Sequence, residues 1–233
     1  MAQRGPARTF TEEQLDRLLR DVTDEQDNKR SGAQASEVIR VAFMLSFYAG
    51  LRVQEIAGLQ WALNIFQGDG EFRTAPTVVY DMHGKPVRDK HGDEVMQDME
   101  VLFINDDIGK YGKSRNIPLH PRLRTGLLEL CKLQLEGPWV IPAGKQGAGQ
   151  GLRHRAHALK MRMNRLYKVL GIDRATSHSG RRSFITRAAR RANAYDASLV
   201  DVRDLAGHAS INTTQFYVDP SPQQGALVKG VWK

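Results

Sequence analysis

The chain begins with a helical repeat of apolar residues. Thr11 and Gln14 have the spacing of a capping box, and four apolar side chains continue one helical stripe: Leu15, Leu18, Leu19 and Val22. Residues 24–35 are charged or small, which predicts a solvated connection. Ser36 then predicts the N-cap of a second, largely apolar helix over residues 38–49.

From about residue 64 to residue 119 the pattern changes to short β-prone segments separated by glycine, proline and charge. Three of these segments predict the strands of a small antiparallel sheet: 77–80, 101–104 and 116–119. The polar piece between residues 80 and 99 predicts an exposed hairpin. His83 and His91 precede glycines in it, and we interpret them as turn residues rather than metal ligands because no cysteine accompanies them.

Helical spacing returns after Pro121, which is suited to the first turn of a helix. The residues predicted to be buried on that helix are Leu123, Leu127, Leu130 and Cys131. Residues 139–141 predict a short strand, and the glycine-rich residues 144–151 predict a flexible loop, since the lysine and hydroxyl ending of a phosphate loop is missing. The following helix has an apolar stripe from Leu159 to Leu170 and an otherwise strongly basic surface.

Three further helices are predicted in the C-terminal third. One begins after His178, a short one is closed by Gly207, and the last is capped by Ser210 and carries Tyr217 near its end. The patterns together predict an α+β fold that is mainly α-helical, with a small antiparallel sheet. We expect a single domain over residues 1–220, followed by a C-terminal tail over 221–233, for which packing on its own domain and docking on a neighbouring protomer are both open.

Composition restricts the partners more than the fold. The 233 residues carry a formal net charge of +8, so the molecule attracts polyanions, whether nucleic acid or an acidic membrane surface. The single cysteine excludes a disulfide framework and a cysteine-based metal site. No stretch resembles a signal peptide or a membrane span, and we expect a cytoplasmic protein without a membrane partner.

Several residues suit the cleavage of a phosphodiester. If a tyrosine attacks phosphorus, negative charge gathers on the non-bridging oxygens, and Arg52 and Arg181 are candidates to bind them bidentately. The tyrosine must lose its proton, for which a nearby histidine is suited. Lys110, on a glycine-flanked turn, is a candidate to protonate the departing oxygen. This chemistry requires no metal and no cofactor, because arginine and lysine supply the positive charge.

Four motifs, in this order, resemble the catalytic domain of the tyrosine recombinase (phage integrase) family. They are Ala49-Gly-Leu-Arg52-Val-Gln-Glu55-Ile, Gly109-Lys110-Tyr-Gly-Lys-Ser-Arg-Asn-Ile-Pro-Leu, His178-Ser-Gly-Arg181, and Leu205-Ala-Gly-His208 followed nine residues later by Tyr217. The resemblance runs from about Phe10 to Tyr217. Family members commonly carry a helical core-binding domain before the first motif, so the chain resembles the short members that lack it.

The resemblance implies a role for each matched residue. The catalytic set would be Arg52, Lys110, His178, Arg181, His208 and Tyr217. In that set Tyr217 would be the nucleophile, His178 would handle its proton, and His208 would contact the scissile phosphate. Glu55 would support the first arginine. Lys113 competes with Lys110 for the role of general acid, but Lys110 matches the family position better, which leaves Lys113 as a backbone-phosphate contact.

The implied activity is site-specific recombination or integration of double-stranded DNA through a covalent 3′-phosphotyrosyl link, performed by a homotetramer on paired sites. The basic residues expected to contact DNA are Lys113, Arg115, Arg153, Arg155, Lys160, Arg162, Arg165 and Arg182. Two alternatives remain open: strand cleavage and rejoining like that of a type IB topoisomerase, and a DNA-binding regulator without catalysis. A basic RNA-binding module is less favoured, because no base-stacking aromatic motif is present.

Overall fold

The computed structural model describes residues 7–24, 28–81, 85–110, 112–142 and 151–217, apart from the side chains of residues 23–35. The α-helices within these ranges are α1 (Glu12–Asp24), α2 (Asn28–Tyr48), α3 (Val53–Gly58), α4 (Pro121–Lys132), α5 (Leu152–Val169), α6 (Ser179–Arg191), α7 (Leu199–Ala206) and α8 (Ile211–Gln215). A short π-helix (Trp61–Ile65) and a short 3-10 helix (Ala192–Tyr195) are also present. Helices therefore dominate the described chain, in agreement with the predicted fold class. None of these helices is both long and apolar enough to cross a bilayer.

One antiparallel sheet of three strands lies between α3 and α4 in the sequence. Its strands are β1 (Thr74–Val78), β2 (Met96–Ile104) and β3 (Arg115–Pro118), in the order β1-β2-β3. Thr74 pairs with Glu100 and Leu102 pairs with Ile117. The predicted sheet is confirmed, although β1 begins and ends earlier than the predicted strand 77–80 and β2 is longer than the predicted strand 101–104.

The exposed hairpin predicted between residues 80 and 99 is present in its described part. The Asp89 carboxylate accepts hydrogen bonds from the backbone N–H groups of His91 and Asp93, which forms the tight turn. His91 is an exposed turn residue, as predicted. His83 lies outside the described residues, as do most of the glycine-rich loop 144–151 and the tail 221–233.

Three details of the predicted fold are wrong. Helix α2 begins at Asn28, so residues 28–35 are helical and Ser36 lies buried inside the helix rather than at its cap. No proline interrupts this polar stretch, and several of its residues have high helix propensity, so the helix extends through it. Cys131 is exposed because it lies beside the buried arc of α4. Residues 139–141 form only one isolated bridge, from Trp139 to Gln60.

Packing between α2 and α6 fixes the part of the chain that carries the candidate site. Gly180 lies so close to Ser46 that a Cβ atom added to the glycine would overlap the serine side chain. The N–H of Phe10 donates to Ser183 Oγ at 2.9 Å, which ties the segment before α1 to α6 as well. A second, smaller apolar cluster forms between α6 and α7, and Tyr217 packs against it.

Candidate active site

Arg52 lies at the N-cap of α3, shortly after the end of α2. The chain passes from α2 to α3 through Gly50, whose φ is +64°, a conformation that other residues adopt only with strain. The Arg52 guanidinium donates to Glu55 Oε1 at 3.0 Å and to the carbonyl of Gly207 at 3.1 Å. Its side chain is 19% exposed, so an anion in the solvent can still reach it.

Arg181 lies in the first turn of α6 and is 4% exposed. Its guanidinium donates to the carbonyl of Gly50 and, at 2.7 Å, to the carbonyl of Ala206. Burial and the charge of Arg52 lower the pKa of Arg181 to about 10, so the side chain remains charged at neutral pH. An ionised Tyr217 would raise that pKa, which means that its hydroxyl is within electrostatic reach of Arg181.

Arg115, the first residue of β3, does not have the role that we predicted for it. Its guanidinium forms two hydrogen bonds with the Glu55 carboxylate, at 3.0 and 3.1 Å, and a third with the carbonyl of Leu205 at 3.1 Å. Burial would raise the pKa of Glu55, but Arg115 and Arg52 lower it below its usual value. Arg115 is therefore a partner of Glu55 inside the site and not an outward-facing DNA contact.

The turn after α7 brings His208 and Tyr217 together. Gly207 ends α7 with a φ of +60°, and His208 follows it with 7% of its surface exposed. His208 Nδ1 and Thr214 Oγ1 are hydrogen-bonded at 2.9 Å. The Tyr217 ring stacks on the His208 ring at 5.6 Å between centroids, and the Arg182 guanidinium lies 5.5 Å from the centre of the Tyr217 ring.

The two histidines of the candidate site, His178 and His208, are neutral at pH 7. Burial lowers the pKa of His208 to about 4, together with the positive charges of Arg181, Arg52, Lys110 and Arg115. Partial burial also lowers the pKa of His178, the N-cap residue of α6, with smaller contributions from Lys160, Arg181 and Arg52. A neutral imidazole can accept a proton or, through its N–H, donate a hydrogen bond to a phosphate oxygen.

Lys110 and Lys113 lie on the connection between β2 and β3, and both are exposed. The charge of Lys110 is among the positive charges that lower the pKa of His208. This proximity favours Lys110 as the lysine of the site.

Basic residues predicted to contact DNA line the surface of α5, which contains no acidic residue. Arg153, Lys160 and Arg165 are exposed, and Arg162 is partly exposed. Arg155 is an exception to the prediction. It is buried, its guanidinium donates to the carbonyls of Ala57 and Ile141, and it lies 3.9 Å from the centre of the Trp139 ring, so it stabilises the fold and is not free to contact DNA.

The six predicted catalytic residues come from four separate segments, and charge effects or direct contacts link them all. The partners of these residues were not predicted from the sequence: Thr214, Arg115 as the counter-ion of Glu55, and the backbone carbonyls that hold the arginines. A buried carboxylate requires a cation, which is the one signal that could have pointed to Arg115. Among the described residues, no group of three or more His, Cys, Asp or Glu side chains could hold a metal ion.

Comparison with known proteins identifies the class. The model of the phage integrase family matches residues 8–224. Tyrosine recombinase XerC of Brucella melitensis is 32% identical over 120 residues, which are 50% of this chain and 36% of that protein. Tyrosine recombinase XerC of Rickettsia prowazekii is 31% identical over 130 residues, 54% of this chain and 39% of that protein. The matched region thus spans well under half the length of these relatives.

Solved structures share the fold. The XerH site-specific recombinase bound to a palindromic difH substrate matches all of this chain and 54% of its own, with a TM-score of 0.62 and 16% identity. The Tn1549 transposon integrase in complex with a circular intermediate DNA matches 97% of this chain and 65% of its own, with a TM-score of 0.59 and 17% identity. The fold is therefore that of the catalytic domains of tyrosine recombinases. The chain belongs to the phage integrase family.

Proposed function

We propose that this chain is the catalytic part of a site-specific DNA recombinase that cleaves and rejoins DNA through a 3′-phosphotyrosyl intermediate. The observation that carries the proposal is the position of Arg52 and Arg181. Both are hydrogen-bonded to the turn that bears His208, and Arg181 is within electrostatic reach of Tyr217. Two guanidinium groups held on one turn, one of them within electrostatic reach of a tyrosine hydroxyl, form a site for a phosphodiester and its attacking group.

In the proposed reaction the Tyr217 oxygen forms a bond to phosphorus while the bond from phosphorus to the 5′ oxygen breaks. Arg52 and Arg181 bind the non-bridging oxygens, whose negative charge grows in the transition state. His178 is neutral at pH 7 and takes the tyrosine proton. Lys110 gives a proton to the departing 5′ oxygen.

His208 has a different task in this proposal. Its Nδ1 is engaged with Thr214, so Nε2 is the nitrogen left for a phosphate oxygen. When Nδ1 accepts a hydrogen bond from the Thr214 hydroxyl, Nε2 of the neutral ring carries the proton and donates a hydrogen bond to that phosphate oxygen. Stacking of the His208 ring on Tyr217 aligns this donor with the nucleophile.

The reaction needs no nucleotide cofactor, because one phosphodiester is exchanged for a phosphotyrosyl ester of similar energy. The 5′ hydroxyl of a second strand then reverses the step. We propose double-stranded DNA as the partner, with phosphate contacts from Lys113, Arg153, Lys160, Arg162, Arg165 and Arg182. Exchange between two duplexes requires four protomers, so we propose a homotetramer, and we propose that it works at the nucleoid. The apolar residues of the tail 221–233 favour docking on a neighbouring protomer.

A covalent-capture experiment tests the activity. The protein is incubated with a randomised library of nicked DNA duplexes, and protein–DNA adducts that survive denaturant are isolated and sequenced. We expect wild-type protein to form adducts enriched in a defined sequence. Tyr217→Phe should form none while still binding DNA, because it lacks the attacking oxygen.

Tyr195→Phe is the matched control, since Tyr195 is 73% exposed and lies outside the site; it should form adducts like the wild type. Adducts that persist in Tyr217→Phe, or DNA binding by wild-type protein without any adduct, would overturn the proposal, and the latter result would favour a regulator. Adducts without sequence preference, together with relaxation of supercoiled plasmid, would favour a topoisomerase.

A further inference from the structure

Three successive backbone carbonyls at the end of α7, immediately before His208, are each bound by a different arginine. The pairs are Arg115 Nε to Leu205 at 3.1 Å, Arg181 Nη2 to Ala206 at 2.7 Å and Arg52 Nη2 to Gly207 at 3.1 Å. These carbonyls carry the partial negative charge of a helix C-terminus, which attracts cations. The turn that bears His208 is thus held in place by guanidinium groups.

Arg115 differs from the other two arginines in how its donors are used. Nε binds the Leu205 carbonyl, while Nη1 and Nη2 bind the two oxygens of Glu55. Its side chain is 10% exposed. Because each of its nitrogens already has an acceptor inside the protein, Arg115 is poorly placed to bind a phosphate.

Glu55 is shared between Arg115 and Arg52. Its side chain is 1% exposed, and its Oε1 lies 3.0 Å from both guanidinium groups. A buried carboxylate needs a compensating charge. Without Arg115, that charge would have to come from Arg52, and the guanidinium meant for the phosphate would be neutralised by Glu55.

We propose that Arg115 is a positioning residue for the cleavage reaction: it neutralises Glu55, so that the charge of Arg52 remains available to the scissile phosphate, and it holds the turn that carries His208. This inference rests on the recombinase function proposed above.

The geometry of Gly207 supports the second half of the proposal. A Cβ atom added at this residue would lie 2.7 Å from a guanidinium nitrogen of Arg115. The backbone of the turn and the plane of Arg115 are therefore in direct contact. A displaced Arg115 would let the turn move, and His208 with it.

The test compares Arg115→Gln, Arg115→Lys and the double variant Glu55→Gln/Arg115→Gln in single-turnover adduct formation, on the duplex enriched by covalent capture. We expect Arg115→Gln to slow adduct formation by about a hundredfold, the size of effect that follows when a catalytic group is misplaced, with DNA affinity close to wild type. Its melting temperature should fall, because the buried Glu55 carboxylate loses a partner, so adduct formation is compared at a temperature at which every variant is folded. Arg115→Lys should be intermediate. The double variant should be faster than Arg115→Gln, because it lacks the uncompensated carboxylate.

Arg124→Gln is the matched control. Arg124, on α4, also forms two hydrogen bonds with a glutamate, Glu100 of β2, and neither residue belongs to the candidate site, so its loss should leave adduct formation unchanged. A second readout does not depend on activity: the His208 ring titration, followed by NMR, should shift to higher pH in Arg115→Gln and not in Arg124→Gln.

The outcomes separate the two proposals. If wild-type protein forms no adduct, the proposed function fails. If wild-type protein forms adducts and Arg115→Gln forms them at the same rate, only the role of Arg115 is overturned. It is also overturned if Arg115→Gln loses DNA affinity to the same extent as activity, which is the behaviour of a phosphate contact, or if the double variant is no faster than Arg115→Gln.

Discussion

At the scale of single residues, the site combines arginines that stay charged with histidines that stay neutral. The same two causes, burial and neighbouring positive charge, lower the pKa of Arg181 to about 10 and that of His208 to about 4. At neutral pH Arg181 remains charged despite its lowered pKa, whereas the lowered pKa of His208 keeps the histidine uncharged. A cationic pocket thus favours the protonation states that the proposed cleavage of a phosphodiester requires.

The low pKa of His208 predicts a pH dependence of stability. In the unfolded chain His208 binds a proton near pH 6.5, but in the folded protein it does so only near pH 4. Between these values the unfolded state binds more protons, so the stabilisation present above pH 6.5 is lost as the pH falls. We expect the unfolding free energy of the wild type to fall by about 2 to 3 kcal/mol more than that of His208→Gln between pH 7 and pH 4.5.

Urea unfolding across that pH range measures this difference. His91→Gln is the control, because His91 lies in the exposed hairpin; its curve should follow the wild type. Parallel curves for wild type and His208→Gln would contradict the prediction.

At the scale of elements, patterns that depend on neighbouring residues were predicted well. The N-cap of α8 at Ser210 and the end of α7 at Gly207 depend on local sequence, and both were predicted. The N-cap of α7 at Ser198 is equally local but was not predicted. The start of α2 was not predicted, because a polar helix and a solvated connection have similar composition.

Long-range contacts explain the errors in the candidate site. Arg115 and Arg155 are both basic residues in basic segments, and composition cannot distinguish them from phosphate contacts. Arg115 meets Glu55 from a position 60 residues away, and Arg155 meets Ala57 from 98 residues away. Only the packing of α3 against β3 and α5 reveals that these two guanidinium groups are used inside the protein.

The close approach of α6 to α2 sets the position of His178 and Arg181, which flank Gly180 on the same turn. We expect Gly180→Ala to lower the unfolding free energy by about 1 to 3 kcal/mol, the usual range for an overpacked contact, because the new Cβ would overlap Ser46. Adduct formation should also slow, since both active-site residues move with the turn. Urea unfolding and single-turnover assays measure these effects.

Gly126→Ala controls for the general effect of a Gly-to-Ala change in a helix. The atoms nearest to its Cβ would be the sulfur and terminal methyl group of Met44, and this flexible side chain can move aside. The gain in helix propensity, about 1 kcal/mol, should offset the contact. Equal losses for both variants would refute the role given to the α6–α2 approach.

At the scale of the whole molecule, charge is divided unevenly. Residues 66–100 contain eight acidic and four basic residues, whereas the rest of the chain has 18 acidic and 30 basic residues. The segment that includes β1 and the exposed hairpin is therefore acidic on a basic protein. It would be repelled by a DNA duplex, so the proposed DNA surface is the one formed by α5 and the start of α6.

This division predicts which lysines contribute to DNA affinity. Lys160 is exposed on α5, and its charge acts on His178, whereas Lys90 is exposed in the acidic hairpin. A lysine that contacts a phosphate displaces a counterion, so its loss should reduce the slope of log K against log salt concentration by about 1. We expect this reduction, with weaker binding at every salt concentration, for Lys160→Gln. Lys90→Gln removes the same charge and should leave the slope unchanged.

Fluorescence anisotropy titrations with a labelled duplex over a range of salt concentrations measure both slopes. Equal slopes for the two variants would show that the net charge of the molecule, and not the basic face of α5, controls binding.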